Sequence, residues 1–139
     1  MSDQVESPII KYGKGSYFVP ADRDPWPHEI MSAKALAKAG YTVVFLSEKG
    51  DKTICDAKMG GQEWEFKSPK TDKLSQIENN LKKATKKTGY IVVDSYRIRN
   101  LPDKKIQQYL ITRFKDNKSI KRLLYINRKR EIIDISVLI

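Results

Sequence analysis

The chain is 139 residues long, about one domain's worth, and its 27 Lys and Arg against 17 Asp and Glu leave a formal charge of +10 at neutral pH. One cysteine (Cys55) and one histidine (His28) exclude an internal disulfide, a Cys-based zinc framework, a His-rich metal site and a two-histidine ribonuclease mechanism. Apolar residues at 40% supply a core and argue against global disorder, no apolar run approaches the roughly 18 residues of a membrane span, and residues 1–7 show no secretory signal.

Residues 1–26 read as an irregular lead, punctuated by Gly13, Gly15, Pro20 and Pro25, with Asp22-Arg23-Asp24 as a polar turn. The domain proper is expected over 27–139. A helix is predicted from Pro27-His28-Glu29, with Ile30, Met31, Ala35, Leu36 and Ala39 as its apolar stripe and Gly40 at its end. Tyr41 to Leu46 is β-branched and aromatic, a buried strand, followed by a polar turn from Ser47 to Asp51. Thr53 to Met59 and Gln62 to Lys67 form a hairpin around the two-residue turn Gly60-Gly61. Pro69 stops that strand, and Asp72 is expected to cap a second helix carrying Leu74, Ile77, Leu81 and Ala84, closed by Gly89. Tyr90 to Val93 is a further buried strand, and Leu101 to Phe114 a third helix with Pro102 in its first turn. Leu123 to Ile126 and Ile132 to Ile135 close the chain as a hairpin around Asn127 to Arg130. The order α-β-β-β-α-β-α-β-β describes one α/β or α+β domain, a central mixed sheet flanked by helices.

The Gly-Gly hairpin carries the chemistry. With Gly60 and Gly61 in the turn, Met59 opposes Gln62, Lys58 opposes Glu63, Ala57 opposes Trp64 and Asp56 opposes Glu65. Opposed residues share a face with Cβ atoms about 4.5–5.5 Å apart, which sets two carboxylates side by side. Such a pair repels itself unless a divalent cation offsets the charge, and Mg²⁺ takes carboxylate oxygens. Period-2 alternation puts Lys67 on the same face, while Trp64 and Phe66 turn into the core. Two carboxylates and an ammonium on one patch suit metal-assisted phosphodiester hydrolysis. Read as structure alone, a Glu-x-Lys on an exposed hairpin face is commonplace and Asp56 needs no partner but water.

Glu29 on the first helix, Asp56 on the second strand and Glu65-Phe66-Lys67 on the third follow the order helix-strand-hairpin-helix-strand, and this pattern resembles the PD-(D/E)XK nuclease superfamily with its restriction-endonuclease-like core. The stretch Trp64-Glu-Phe-Lys-Ser-Pro69, with His28-Glu29 upstream and Tyr90-Ile-Val-Val-Asp94 downstream, is similar to C-terminal toxin domains of contact-dependent growth inhibition proteins. The resemblance covers roughly residues 27–136. It implies Asp56 and Glu65 as metal ligands, Lys67 as the catalytic lysine, and Glu29 as an acid that binds the metal directly or through water. The proline that the pattern places before the aspartate is replaced by Cys55. The metal implied is Mg²⁺, with Mn²⁺ or Zn²⁺ as alternatives. The resemblance further implies a tRNA nuclease toxin, carried by a larger exported protein, acting in the cytoplasm of a target bacterium and held off by an immunity protein; the basic balance of the chain makes an acidic immunity protein the natural partner.

Other residues have weaker readings. His28 is a general base or, more simply, a turn or cap residue. Ser68 is a phosphate contact or, more simply, helps to end the strand; Gln76 and Asn80, four apart on the second helix, contact the scissile strand or are ordinary helix-surface residues. Lys83, Lys86 and Lys87, with Lys82, make the end of the second helix basic, a face that favours the helix dipole and would hold a phosphate backbone. Arg113, Lys115, Lys118, Lys121, Arg122 and Arg128-Lys129-Arg130 would extend that track. Tyr109, Phe114 and Tyr125 fall on apolar stripes and read as core, and Cys55 as a buried thiol. Two alternatives stay open on the sequence: a DNA endonuclease of the same fold, and a non-catalytic basic module that binds nucleic acid.

Overall fold

The computed structural model describes residues 9–47 and 55–138. Strands β1 (Ile9–Tyr12) and β2 (Gly15–Phe18) precede helix α1 (Pro27–Lys38); β3 (Thr42–Phe45), β4 (Ala57–Met59) and β5 (Gln62–Lys67) lead to α2 (Leu74–Thr85); β6 (Tyr90–Asp94), α3 (Asp103–Asp116), β7 (Arg122–Ile126) and β8 (Ile132–Asp134) follow, ending in a short 3₁₀ turn. The eight strands form one mixed sheet in chain order. Neighbours β1/β2, β3/β4, β4/β5 and β7/β8 run antiparallel, whereas β2/β3, β5/β6 and β6/β7 run parallel.

Alternation along the central strands divides the core between two faces. Val92, Leu124 and Ile126 join Trp64, Phe66, Phe45 and Val43 under Ala33, Ala35 and Leu36 of α1. Ile91, Val93, Leu123 and Tyr125 face the other way, onto Ile77, Leu81 and Ala84 of α2 and Ile106 and Leu110 of α3. A strand buried on both faces reads as an unbroken apolar run, which is why Tyr90 to Val93 and Leu123 to Ile126 stand out in the sequence. Tyr125 is fully buried, and Tyr109 and Phe114 pack against the same core, so these three rings are structural.

From Pro27 onward the order of elements is the one read from the sequence. The lead differs. Residues 9–18 are not irregular but form the β1–β2 hairpin, with β2 docked parallel to β3 through Tyr17↔Val43. Four exposed residues in β1 have no inside and outside, so no alternation marks them. Two helix boundaries also move. The N-cap of α2 is Lys73 rather than Asp72, its N–H donating to Thr71 Oγ1 at 3.0 Å. That helix ends at its C-cap Lys86, so Gly89 does not close it. Gly89 lies instead where the entry to β6 crosses the entry to β7, and a Cβ there would stand 2.7 Å from the Ser119 carbonyl oxygen.

The Gly60-Gly61 turn forms as read: both residues have positive φ, 57° and 82°, the backbone of a two-residue hairpin turn that glycine adopts without strain. Ala57↔Trp64, Lys58↔Glu63 and Met59↔Gln62 are paired. Of the Ser47–Asp51 turn only Ser47 is described, and Thr53 and Ile54 of the expected strand lie outside the described residues.

Candidate functional site

The directions of the strands bring distant residues to one end of the sheet. Parallel β5 and β6 end side by side at Lys67 and Asp94. Because β4 is antiparallel to β5 and to β3, its beginning lies against the end of both. The N-terminus of α1 comes to the same end, its Ser32 hydroxyl donating to Asp94 Oδ2 at 2.7 Å. In sheets with parallel strands the carboxyl ends are where backbone connections diverge and leave room for a ligand.

Asp56 sits at the bend just ahead of β4. Its N–H still donates to the Trp64 carbonyl at 3.0 Å. Asp56 Oδ2 takes the Phe66 N–H at 2.7 Å. The carboxylate is thus fixed by the backbone of the strand that carries Glu65 and Lys67. Glu65 is buried, 4% exposed; its Oε2 pairs with Lys67 Nζ at 3.5 Å and with Lys87 Nζ at 3.4 Å. Oε1 is buried with no hydrogen-bond partner among the described residues. Burial, and then the negative charge of Asp56, push the Glu65 carboxyl above its ordinary range, while Lys87 and Lys67 pull it back.

Arg23 joins this group from the segment read as a lead. Its side chain is buried; Nη1 donates to the Leu46 and Asp56 carbonyls at 3.0 and 3.2 Å. Nη2 lies 3.4 Å from both Glu29 carboxylate oxygens and 3.4 Å from Asp56 Oδ1, and the guanidinium covers the Phe45 ring at 5.3 Å. Glu29 also accepts the Trp26 N–H at 2.8 Å, closing the first turn of α1. Burial comes first among the causes that raise the Glu29 carboxyl.

The four residues read as a catalytic set therefore share one neighbourhood, with contacts of different kinds. Glu65 and Lys67 pair directly, Asp56 is hydrogen-bonded into their strand, and Glu29 faces Asp56 both directly and across the shared Arg23. Among the described residues no three His, Cys, Asp or Glu side chains stand together as a metal-holding group. Lys87 comes from the end of α2 to Glu65, while Lys83 and Lys86 remain on the exposed helix surface. Asn80 donates to the Gln76 carbonyl and Gln76 Oε1 accepts from Asn79, so both amides are engaged along their own helix. Ser68 is buried at the end of β5, where its carbonyl receives Arg97 Nε and Nη2 at 3.0 and 2.7 Å. His28 stacks on Trp26 with ring centroids 6.3 Å apart and planes 10° apart; burial and then the Arg97 charge lower its pKa. Cys55 is buried, its thiol pushed up to about 11 by burial.

Sequence reasoning missed Arg23, Arg97 and the pair of Arg130 with Asp94, whose two bonds measure 2.6 and 2.8 Å. Apart from the Arg23–Glu29 pair, six residues apart, these contacts span 23 to 36 residues, and no local period signals an arginine that will be buried by a distant strand.

The sequence family described as the contact-dependent growth inhibition CdiA C-terminal domain matches residues 54–132, which is more than half of the chain and includes Asp56, Glu65 and Lys67. No curated protein matches. Among solved structures, the CdiA-CT/CdiI toxin and immunity complex from Burkholderia pseudomallei is similar in fold, with a TM-score of 0.64 and 20% identity over 81% of this chain and 93% of that one. With the matched segment running from just before Asp56 to the closing hairpin, the chain belongs to the family of CdiA C-terminal domains of contact-dependent growth inhibition.

Proposed function

We propose that the domain is a metal-dependent nuclease toxin of interbacterial competition, of the PD-(D/E)XK type, with RNA and tRNA in particular as its substrate. The observation that carries the chemistry is the Asp56–Glu65–Lys67 group at the carboxyl ends of the sheet. A buried carboxylate whose Oε1 has no partner among the described residues, raised by burial and then by a second carboxylate nearby, fits a divalent cation: the donors are hard oxygens, and a cation satisfies that atom and relieves the repulsion. That chemistry suits Mg²⁺ or Mn²⁺ better than Zn²⁺. Asp56 and Glu65 would hold the ion, with Glu29 contributing directly or through water. When bound, such an ion activates water and neutralises phosphate charge.

The protein's own groups have separable tasks. The Phe66 N–H and Arg23 fix both oxygens of Asp56. Arg23 offsets part of the negative charge that would otherwise repel a phosphate. Lys67 sets its ammonium beside Glu65, where it stabilises charge developing on the phosphoryl oxygens as water attacks phosphorus and the P–O bond to the leaving oxygen breaks. Lys87, on the other flank, supplies a second cation for the phosphate. The preference for RNA rests on the resemblance to nuclease toxin domains; the immunity protein is expected because the similar Burkholderia pseudomallei structure is a toxin and immunity complex, and its acidity follows from the charge of +10 on this chain.

The test is cleavage of total bacterial RNA and of plasmid DNA by purified domain, with Mg²⁺ or Mn²⁺ and with excess chelator. The expected result is RNA cleavage that chelator stops. Cleavage of DNA alone transfers the same site to a DNA endonuclease. No cleavage of either, with binding retained, leaves a non-catalytic binding module and ends the nuclease reading.

A further inference from the structure

Beside the carboxylates lies a surface with no part in holding a cation. Trp26 is 65% exposed at the start of α1, although its backbone N–H is tied to Glu29. His28 stacks against it. Tyr96 is 56% exposed just past the end of β6, with the Arg130 guanidinium 5.7 Å from its ring centre. Arg130 in turn donates to the Met31 carbonyl on α1 at 3.2 Å, so Tyr96 and α1 flank one cleft of about 360 Å³. Tyr12, Lys34 and Lys38 complete its wall, Lys34 standing 5.8 Å from the Tyr12 ring centre. No carboxylate lines this cleft among the described residues. The Tyr96 N–H and Arg130 both bond to Asp94 at the end of β6, which ties the cleft to the end of the sheet where β5 carries Glu65 and Lys67.

Large exposed aromatic rings interleaved with cations are costly to leave in water and suit one ligand chemistry. Bases stack on rings, and phosphates between them meet lysine and arginine. In a closed duplex base faces are already stacked on one another and are not available to a protein ring. We infer that Trp26, Tyr96 and Tyr12, with Lys34, Lys38, Arg97 and Arg130, form a track for unpaired nucleotides that leads a single-stranded or splayed segment to the carboxylate site. This deepens the nuclease reading and rests on it for the direction of the track, but stacking itself needs no metal and no cleavage.

Tryptophan fluorescence separates the two. The chain has two tryptophans; Trp64 is 2% exposed, so quenching by an added oligonucleotide reports Trp26. The measurement is titration with an eight-residue oligouridylate, an eight-residue oligothymidylate and a blunt RNA duplex, all in chelator so that nothing is cut. The expected result is quenching by the single strands, with binding at least about fivefold weaker for the duplex and for Tyr96→Ala. Trp26→Phe should lose the quenching with an unchanged circular dichroism spectrum. The oligouridylate and oligothymidylate arms tell RNA from DNA preference. Absence of quenching by either single strand, or equal affinity for the duplex, overturns the track even if the domain cleaves RNA. Quenching in a protein that cleaves nothing overturns the nuclease reading and leaves the track standing.

Discussion

Glu65 shows how the candidate chemistry is set against the stability of the fold. Burial raises its carboxyl above the ordinary 4.5, and Asp56 adds to the rise. A carboxyl that binds its proton more tightly folded than unfolded costs stability once it ionises, so this group favours the fold as pH drops through its raised value toward 4.5 and opposes it above. Glu65→Gln removes the ionisation and keeps the shape. The expected outcome is a variant that denaturant titration at pH 7 finds as stable as the native chain or up to ~1 kcal/mol more so, with a flatter pH dependence, and that has lost cleavage. A large loss of stability would show that the ion pairs with Lys67 and Lys87 outweigh burial. Cleavage by the native chain should rise with pH through the acidic range as Glu65 ionises. Cys55 offers a second check at this scale. With its thiol buried and raised to about 11, it should resist a thiol reagent such as dithionitrobenzoate at pH 7–8 in the folded protein and react fully in denaturant; fast reaction of the native chain would contradict the packing around the start of β4.

Among the elements, the sheet positions the site through its directions, and polar ties hold the helices to it. Asp94 at the end of β6 is 1% exposed and takes two bonds from Arg130, one from Ser32 of α1 and one from the Tyr96 N–H. Arg130 lies in the β7–β8 turn at φ 65°, so one carboxylate joins β6, α1 and the closing hairpin. Removing it strands a partly buried guanidinium. Asp94→Ala is expected to lower the unfolding free energy by about 3–5 kcal/mol, read by urea denaturation; a change within 0.5 kcal/mol would show that the network is incidental. Legibility in the sequence divides along the same lines. The hairpin could be read because Gly60-Gly61 fixes the register and each paired residue follows from it by counting. The order α1-β3-β4-β5-α2-β6 could be read from periodicity and buried runs. Asp56 could be placed beside Glu65, but not its capture of the Phe66 N–H, which depends on where β4 stops. Arg23 was legible only as part of a polar turn, since its partners lie on α1 and β4 and a hairpin that carries no alternation precedes it.

For the whole molecule, the charge of +10 is distributed between pairing and binding. Lys67 and Lys87 are held by Glu65, Lys82 by Glu78 and Arg130 by Asp94. Lys83 and Lys86 have no ion pair among the described residues and project from α2, on the helix whose end brings Lys87 to the site. Cations of this kind bind phosphate by releasing counterions, independent of sequence. The double variant Lys83→Ala/Lys86→Ala should bind RNA more weakly in chelator, equally across sequences, and reduce the slope of log affinity against log salt by about 1.4–1.8. An unchanged slope would place the backbone-binding surface elsewhere. Under the proposed toxin function this basic surface has a second expected partner, an immunity protein whose acidic residues would compete for it.

The central claim is that the Asp56–Glu65–Lys67 group breaks phosphodiester bonds, and it is tested most directly by cleavage of total bacterial RNA in Mg²⁺ by the native chain and by Lys67→Ala at equal folded concentration. The expected result is discrete RNA fragments with the native chain and a loss of at least about 100-fold in rate with Lys67→Ala, the circular dichroism spectrum and the melting transition of the two proteins being alike. Cleavage by Lys67→Ala at the native rate would contradict it.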